Sequence, residues 1–352
     1  MKESRLPQQN IRTVLITGGC GFVGSNLVKL ILAQRDEWRV VNVDSLTYAS
    51  NPASLADVES NPRYTFVEQD ITEYAGMESV FQIHSPWAVI NCAAESHVDR
   101  SLETGVNFAR TNVMGTQVVL ELGRRYESRV LQISTDEVYG SLDDDVLKFS
   151  EDMPLDPTSP YAASKAAADL MVLAAFRSYR QDVVITRSSN NYGPYQHPEK
   201  LIPMMITNTL DDQPLPVYGS GENVRDWVHV HDHCRGVLAA LENGASGSIY
   251  NLGGDSERTN ISVVRSILSI LGRPESLVRY VEDRPGHDLR YAIDYSRATR
   301  DLDWAPETRF EDGLEETVAW YVRHDGWWRA LKGGQFKAYY ERQYAARLRG
   351  SN

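Results

Sequence analysis

Six short runs of apolar and β-branched residues recur through the first half of the chain, with helical text between most of them. They read RTVLIT at 12–17, RVVNVD at 39–44, YTFVEQD at 64–70, WAVINCA at 87–93, RVLQIS at 129–134 and VVITRSS at 183–189. Strands rich in Val and Ile on both faces, alternating with amphipathic segments such as GSNLVKLILAQ and GTQVVLELGRR, predict a parallel sheet covered on both sides. Right-handed crossovers then make the fold an α/β doubly wound sheet. From about residue 190 the alternation breaks: Pro194, Pro198, Pro203, Pro214 and Pro216 cluster, and PGHD at 285–288 reads as a turn. The reading is a dinucleotide-type domain over 1–190. A smaller C-terminal substrate-binding lobe spans 191–352, interleaved with late elements of the first domain.

Composition narrows the partners. A chain of 352 residues with 42% hydrophobic and 24% charged residues buries a core without staples. A net charge of -12 repels nucleic acid and anionic membrane, while phosphate-bearing small molecules stay compatible through helix N-termini and single arginines. Three scattered cysteines, Cys20, Cys92 and Cys234, form no disulfide framework and no metal knuckle. The polar opening MKESRLPQQNIR carries no apolar leader, and no run reaches the ~18 residues of a membrane span, so a cytoplasmic protein is expected.

ITGGCGFVG follows the first predicted strand and opens the first helix. Gly18, Gly21 and Gly24 permit a tight turn and let a pyrophosphate approach the helix N-terminus, with Phe22 and Val23 between them. A lone glycine string is often only a strand–helix turn; here Asp44 ends the second strand, where a carboxylate accepts the ribose hydroxyls of NAD. No arginine follows in DSLTY, which favours NAD over NADP. Asp70 and Ile71 are placed to border the adenine, Ala93 and Ala94 to give the cofactor room, and Thr111 to reach the ribose–phosphate region.

SPYAASKAAADL sets Tyr161 and Lys165 four residues apart, on one helix face. A lysine ammonium and a positive nicotinamide both favour phenolate, lowering a pKa that starts near ~10 and making Tyr161 a base for an alcohol proton. LQISTDEVYG adds Thr135, Asp136 and Glu137 at the end of an apolar strand. Two neighbouring carboxyls in a water-poor site can have their pKa values pushed apart, giving one acid and one base.

The glycine motif, Asp44, Thr135 and the YxxxK pair resemble the extended short-chain dehydrogenase/reductase superfamily. AAESHVDRS, STDEVYG, SNNYGPYQHPEKLIP, LPVYGSGENVRDWVHV, YNLGG and DRPGHDLRYAID narrow the resemblance to nucleotide-sugar 4,6-dehydratases, those acting on dTDP-glucose most of all. It runs from about Thr13 to Tyr321. The resemblance implies a Rossmann-type homodimer that oxidises C4 of the hexose, with Tyr161 as base and Thr135 on the same oxygen. Glu137 would take the C5 proton, Asp136 would protonate the departing C6 hydroxyl, and hydride would return to C6. It implies that Ser96 and Asn190 touch the hexose and that Lys200, Arg225 and Arg284 bind the diphosphate. Asn260 and His287 lie nearby, and Tyr218 stacks on the base.

Rival readings are a dehydratase of another nucleotide sugar such as UDP-glucose, a UDP-sugar 4-epimerase, a UDP-glucuronate decarboxylase, and a non-catalytic NAD sensor. Epimerases have no need of the acid pair, decarboxylases usually carry serine at position 136, and a sensor needs none of these groups together. Cys20 and the lack of a histidine after Lys165 depart from the family's usual text without touching a catalytic position. His229, His231 and His233 would fall on one side of a strand, a zinc-compatible spacing, but no further ligands accompany them and no metal is expected. Asp143 to Asp145 read as a solvated loop. Phe336, Tyr340, Tyr344 and Leu348 form one helical stripe, packing on the protein's own body or a subunit neighbour.

Overall fold

In the computed structural model, residues 11–142 and 148–349 are described. The polar opening at 1–10 and the acidic run at 143–145 lie outside them. The strands are β1 Arg12–Thr17, β2 Trp38–Asp44, β3 Tyr64–Glu68, β4 Ala88–Asn91, β5 Arg129–Thr135 and β6 Val183–Ser188. They continue with β7 Asn190–Tyr192, β8 Leu215–Tyr218, β9 Val224–His229, β10 Ile249–Leu252, β11 Glu257–Thr259 and β12 Val278–Val281. Each of the six apolar runs became a strand, shifted by one or two residues at its ends.

Seven strands form one parallel sheet in the order β10-β6-β5-β4-β1-β2-β3. Successive residues of β1 face opposite ways and both ways are dry. Val14 and Ile16 join one apolar cluster with the helices Phe22–Gln34 and Val230–Asn243, and Leu15 joins another with Tyr74–His84, Thr116–Arg125 and Pro160–Tyr179. This two-sided burial is why the strands read as near-continuous aliphatic text. Chain order reverses direction between β1 and β4, which opens a crevice at their carboxyl ends.

The second half contributes to both regions. β10 and the helix Val230–Asn243 return to the large sheet. A three-stranded sheet (β11-β9-β7), a two-stranded one (β12-β8) and a separate cluster built on Tyr192, Met205, Val264, Tyr321 and Trp328 form beside it. Burying each such side chain contributes about 1.5–3 kcal/mol. The C-terminal stripe is helical over Gly334–Arg349, and Tyr344, Tyr340 and Leu348 pack against this second cluster. Among the described residues no helix is long and apolar enough to cross a membrane.

Candidate active site

One continuous cavity opens at the carboxyl ends of β1, β2, β4, β5 and β6 and collects most of the residues singled out above. At one end lies the glycine turn. Gly18 has φ of 67°, a left-handed conformation closed to most side chains, and a Cβ on Gly24 would lie 2.2 Å from the Gly18 carbonyl. Gly21 is different: a Cβ there would meet only the Gly18 oxygen, at 3.2 Å, so its outer face is open for a ligand to approach the helix Phe22–Gln34. Phe22 and Val23 line the cavity beside it. The Asp44 carboxylate is fixed at the end of β2 by the Cys20 and Leu46 N–H groups, both at 2.9 Å, and by Ser50 Oγ at 2.6 Å. Asp70, Ile71, Ala93, Ala94 and Thr111 complete this wall. An open glycine turn beside a pinned carboxylate fits a dinucleotide's pyrophosphate and ribose.

Thr111 sits on a π-helical stretch, Ala109–Gly115, that the sequence did not reveal. The wide turn frees Asn112, whose amide spans the Glu95 N–H and carbonyl and also donates to Ser164 Oγ at 2.8 Å. Asn112 thus ties the loop after β4, with Glu95 and Ser96, to the helix bearing Tyr161.

The other end of the cavity holds the reactive groups. Ser159 caps the helix Pro160–Tyr179 by accepting the Ala162 N–H at 3.1 Å, and Pro160 takes the first-turn position where its missing N–H costs nothing. Tyr161 therefore lies in the first turn, with Lys165 one turn on. Lys165 Nζ donates to the Ile133 carbonyl at 2.5 Å, and Asp169, a further turn along, forms a fully buried pair with Arg187 at 2.9 Å. β5 ends at Thr135, whose hydroxyl accepts the Glu137 N–H at 3.3 Å and so caps a short 3-10 turn, Asp136–Tyr139. That cap is why two acids stand at an apolar strand's end: the turn displays both to the cavity.

The two acids differ in surroundings. Asp136 is buried, donated to by Thr135 Oγ1 at 3.2 Å, and its other carboxylate oxygen has no partner. Burial, then the neighbouring Glu137 and Asp226 charges, hold its pKa well above the carboxylate range. Burial also raises half-buried Glu137, but Arg284, Lys200 and Arg225 pull it back towards the ionised form. The expectation for Tyr161 is reversed by the protein's own groups. Burial and the Glu137 and Asp136 charges push the phenol up, and Lys165, itself lowered by burial, is bonded to the backbone and not to the phenol. Among the protein's own groups, Thr135 opposes that rise through a hydrogen bond to the phenol.

Ser96, Asn190 and Lys200 line the same cavity, and Lys200 Nζ donates to the Ser96 carbonyl at 2.6 Å. Tyr218, Arg225, Asn260, Arg284 and His287 do not form its wall; they lie beyond it, on the second region. Arg225 packs at 4.4 Å over the Tyr291 ring and donates to the Asp288 carbonyl at 3.0 Å. Arg284 stands 3.9 Å from Asp99, and His287 Nδ1 is 2.6 Å from Asp283. The Tyr218 hydroxyl lies 2.9 Å from Asp99, and Asn260 opens the helix Asn260–Ile270 with its side-chain oxygen unpartnered.

The three histidines do not share a strand face. β9 ends at His229, and His231 and His233 belong to the helix that follows. His233 lines the cavity instead, fully buried, with burial lowering its pKa to about 4. Glu95, His197 and Glu199 also line the cavity and were not singled out from the sequence. Glu199 is buried against Arg100 at 3.3 Å; the charged text HPEK and HVDRS was its only signal.

The sequence profile of the GDP-mannose 4,6 dehydratase family matches residues 15–317. The dTDP-glucose 4,6-dehydratase of Neisseria meningitidis is 45% identical over 348 residues, covering 93% of this chain and 98% of that one. The corresponding enzyme of Xanthomonas campestris is 47% identical over 344 residues, covering 92% and 97%. The crystal structure of the Streptomyces venezuelae dTDP-glucose 4,6-dehydratase with NAD bound matches with a TM-score of 0.88 at 48% identity, over 91% of this chain and 100% of that one. A UDP-glucose 4-epimerase from Thermotoga maritima shares the fold at a TM-score of 0.82 and 29% identity, over 88% and 99%. The chain belongs to the GDP-mannose 4,6 dehydratase family and, within it, to the dTDP-glucose 4,6-dehydratases.

Proposed function

We propose that the chain converts dTDP-glucose to dTDP-4-keto-6-deoxyglucose with NAD as its cofactor. The observation that carries the reading is the acid pair Asp136–Glu137, set in one cavity with Tyr161 and the glycine turn, with Arg284, Lys200 and Arg225 acting on Glu137 and only Arg225 among them on the more deeply buried Asp136. NAD, when bound, accepts hydride from C4 and returns it to C6. Gly18, Gly21, Phe22, Val23, Gly24 and Asp44 would hold its phosphates and ribose, while Asp70, Ile71, Ala93, Ala94 and Thr111 would shape the remaining wall.

Tyr161 takes the C4 hydroxyl proton, with Thr135 bonded to the same oxygen and Lys165 supplying positive charge one turn away. The 4-ketone acidifies C5, and Glu137, the acid that Arg284, Lys200 and Arg225 draw back towards its ionised form against burial, removes that proton. Asp136, kept protonated by burial and by Glu137, donates to the C6 hydroxyl, which leaves as water. Each general acid–base group is worth ~10²–10⁴-fold in rate. Ser96 and Asn190 are assigned to the hexose. Lys200, Arg225 and Arg284 are assigned to the diphosphate, with Asn260 and His287 nearby, and Tyr218 to the base. On this division residues 1–190 hold NAD and 191–352 mainly the nucleotide sugar.

A homodimer is supported by exposed Leu102, Val106, Met114 and Leu170 on segments that abut one another. A reducing cytoplasm suits the three free cysteines. The test is incubation with dTDP-glucose and UDP-glucose in heavy water. From dTDP-glucose the product is expected one water lighter and deuterated at C5, because the Glu137 proton exchanges with solvent. A product unlabelled at C5, or a C4 epimer of unchanged mass, overturns the reading.

A further inference from the structure

The helix Gly334–Arg349 does more than cover apolar surface. Of its stripe, Tyr340 and Tyr344 pack in the second apolar cluster, Phe336 packs on the His197 and Tyr340 rings, and the Asn208 amide donates to Tyr340 Oη at 2.9 Å. The adjoining face is polar and engages two separate parts of the molecule. Towards β8, Gln343 Nε2 and Arg347 Nη1 both donate to Tyr218 Oη at 2.9 Å, and the Arg347 guanidinium lies 5.2 Å over the Tyr218 ring. Towards the helix Val98–Glu103, Gln343 also donates to Asp99 Oδ2 at 3.2 Å. Arg342 pairs there with Glu103 at 3.1 Å, and the Tyr339 ring packs 4.3 Å from the Arg100 guanidinium.

These two contacts are the two sides of one subsite. The helix Val98–Glu103 follows Ser96, which holds Lys200, and its Asp99 faces Arg284 at 3.9 Å. Tyr218 stands beside His287, ring centres 6.1 Å apart. Asp99 is the hub: a buried carboxylate shared by Tyr218, Gln343 and Arg284. A helix that merely packed would not bring an amide and a guanidinium to one phenol oxygen, since half-buried polar groups cost free energy unless their geometry is met.

We propose that Gln343 and Arg347 are positioning residues: they clasp Tyr218 and Asp99 together and so set the geometry of the site for the nucleoside diphosphate. The clasp acts on the nucleotide end and leaves the glycine turn untouched; it meets the acid pair only through Asp99, which faces Arg284, one of the cations acting on Glu137. This rests on the nucleotide-sugar reading above.

The test uses the full chain carrying Gln343→Met and Arg347→Met, near-isosteric changes that keep the packing and remove the donors. Calorimetry with dTDP as probe is expected to show affinity weakened roughly 10-fold, within the range that the three lost hydrogen bonds allow. KM for dTDP-glucose should rise in step, with kcat, NAD affinity and thermal midpoint near wild type. Arg347→Lys, which keeps a charged donor, is expected to recover part of the loss. Combined with Tyr218→Phe, the double change should add little, since all three act through one oxygen. Should the double variant not fold, Gln343→Met alone carries the test, since Gln343 meets both Tyr218 and Asp99, with part of the same loss expected. Unchanged dTDP affinity in these variants, or an equal loss of NAD affinity, overturns the clasp. A wild-type protein that binds neither dTDP nor UDP overturns the substrate reading and the clasp with it.

Discussion

At the scale of single residues, the proposed reading divides the site into a base for oxidation and an acid pair for elimination, and the division can be made to stall at different points. Tyr161→Phe removes the C4 base, so mixing with dTDP-glucose is expected to yield almost no reduced nicotinamide absorbance. Glu137→Gln leaves that base and should let the absorbance build up, with turnover down ~10²–10⁴-fold in either variant. Accumulation in Tyr161→Phe equal to that in Glu137→Gln would refute the assignment. Asp136 makes a second prediction through its raised pKa, caused first by burial and then by Glu137. A carboxyl whose pKa rises on folding binds its proton more tightly when folded. Its contribution is complete below the unfolded range of about 4 and is lost as pH climbs through the folded value. Asp136→Asn abolishes that loss, so relative to wild type its thermal midpoint should be higher at pH 8 than at pH 5, while dehydration fails. A midpoint difference independent of pH would show that Asp136 is not held protonated.

At the scale of elements, Gly21 and Gly24 of the turn do different jobs. An Ala at position 24 would press its Cβ to 2.2 Å from the Gly18 oxygen and 2.7 Å from the Gly19 Cα, both backbone atoms. Gly24→Ala is therefore expected to destabilise the fold by about 1–3 kcal/mol. Gly21 has φ of -79° and a Cβ there meets only the Gly18 oxygen, at 3.2 Å, a tight contact relieved by a small shift, so Gly21→Ala should lose less stability than Gly24→Ala while NAD affinity, measured by titration, falls. Equal stability losses in the two variants would sink this reading. The elements that sequence conveyed best are those like them, where local text suffices. β1 to β6 were legible because both faces are dry, and the helix start at Ser159-Pro160 because cap and proline are adjacent. The π stretch at 109–115 and the 3-10 turn at 136–139 were not, since each depends on side-chain bonds made by Asn112 and Thr135. Nor could spacing show that Arg225 and Arg284 reach Glu137, or that the acids lift Tyr161, because those charges meet only across the folded crevice.

At the scale of the whole molecule, the cavity and the outer surface share their supports. The helix Pro160–Tyr179 presents Tyr161 and Lys165 inward, while Leu170 on the same helix is 56% exposed. The segment that offers Thr111 to the cavity leaves Met114 61% exposed, and Val106 just before it is 75% exposed. Exposed apolar residues are ordinary singly, but a group on abutting segments marks a surface that another copy can cover about a two-fold axis. Because those segments also bear Tyr161 and Thr111, the proposed second copy would steady the reactive end as well as cover the surface. The wild-type chain is accordingly expected to sediment as a dimer at micromolar concentration. Val106→Glu with Leu170→Glu should sediment as a monomer, melt lower and lose turnover, although neither residue touches the cavity. A wild-type protein that sediments as a monomer, or a paired variant that stays dimeric, would show that this face is not the one the second copy covers.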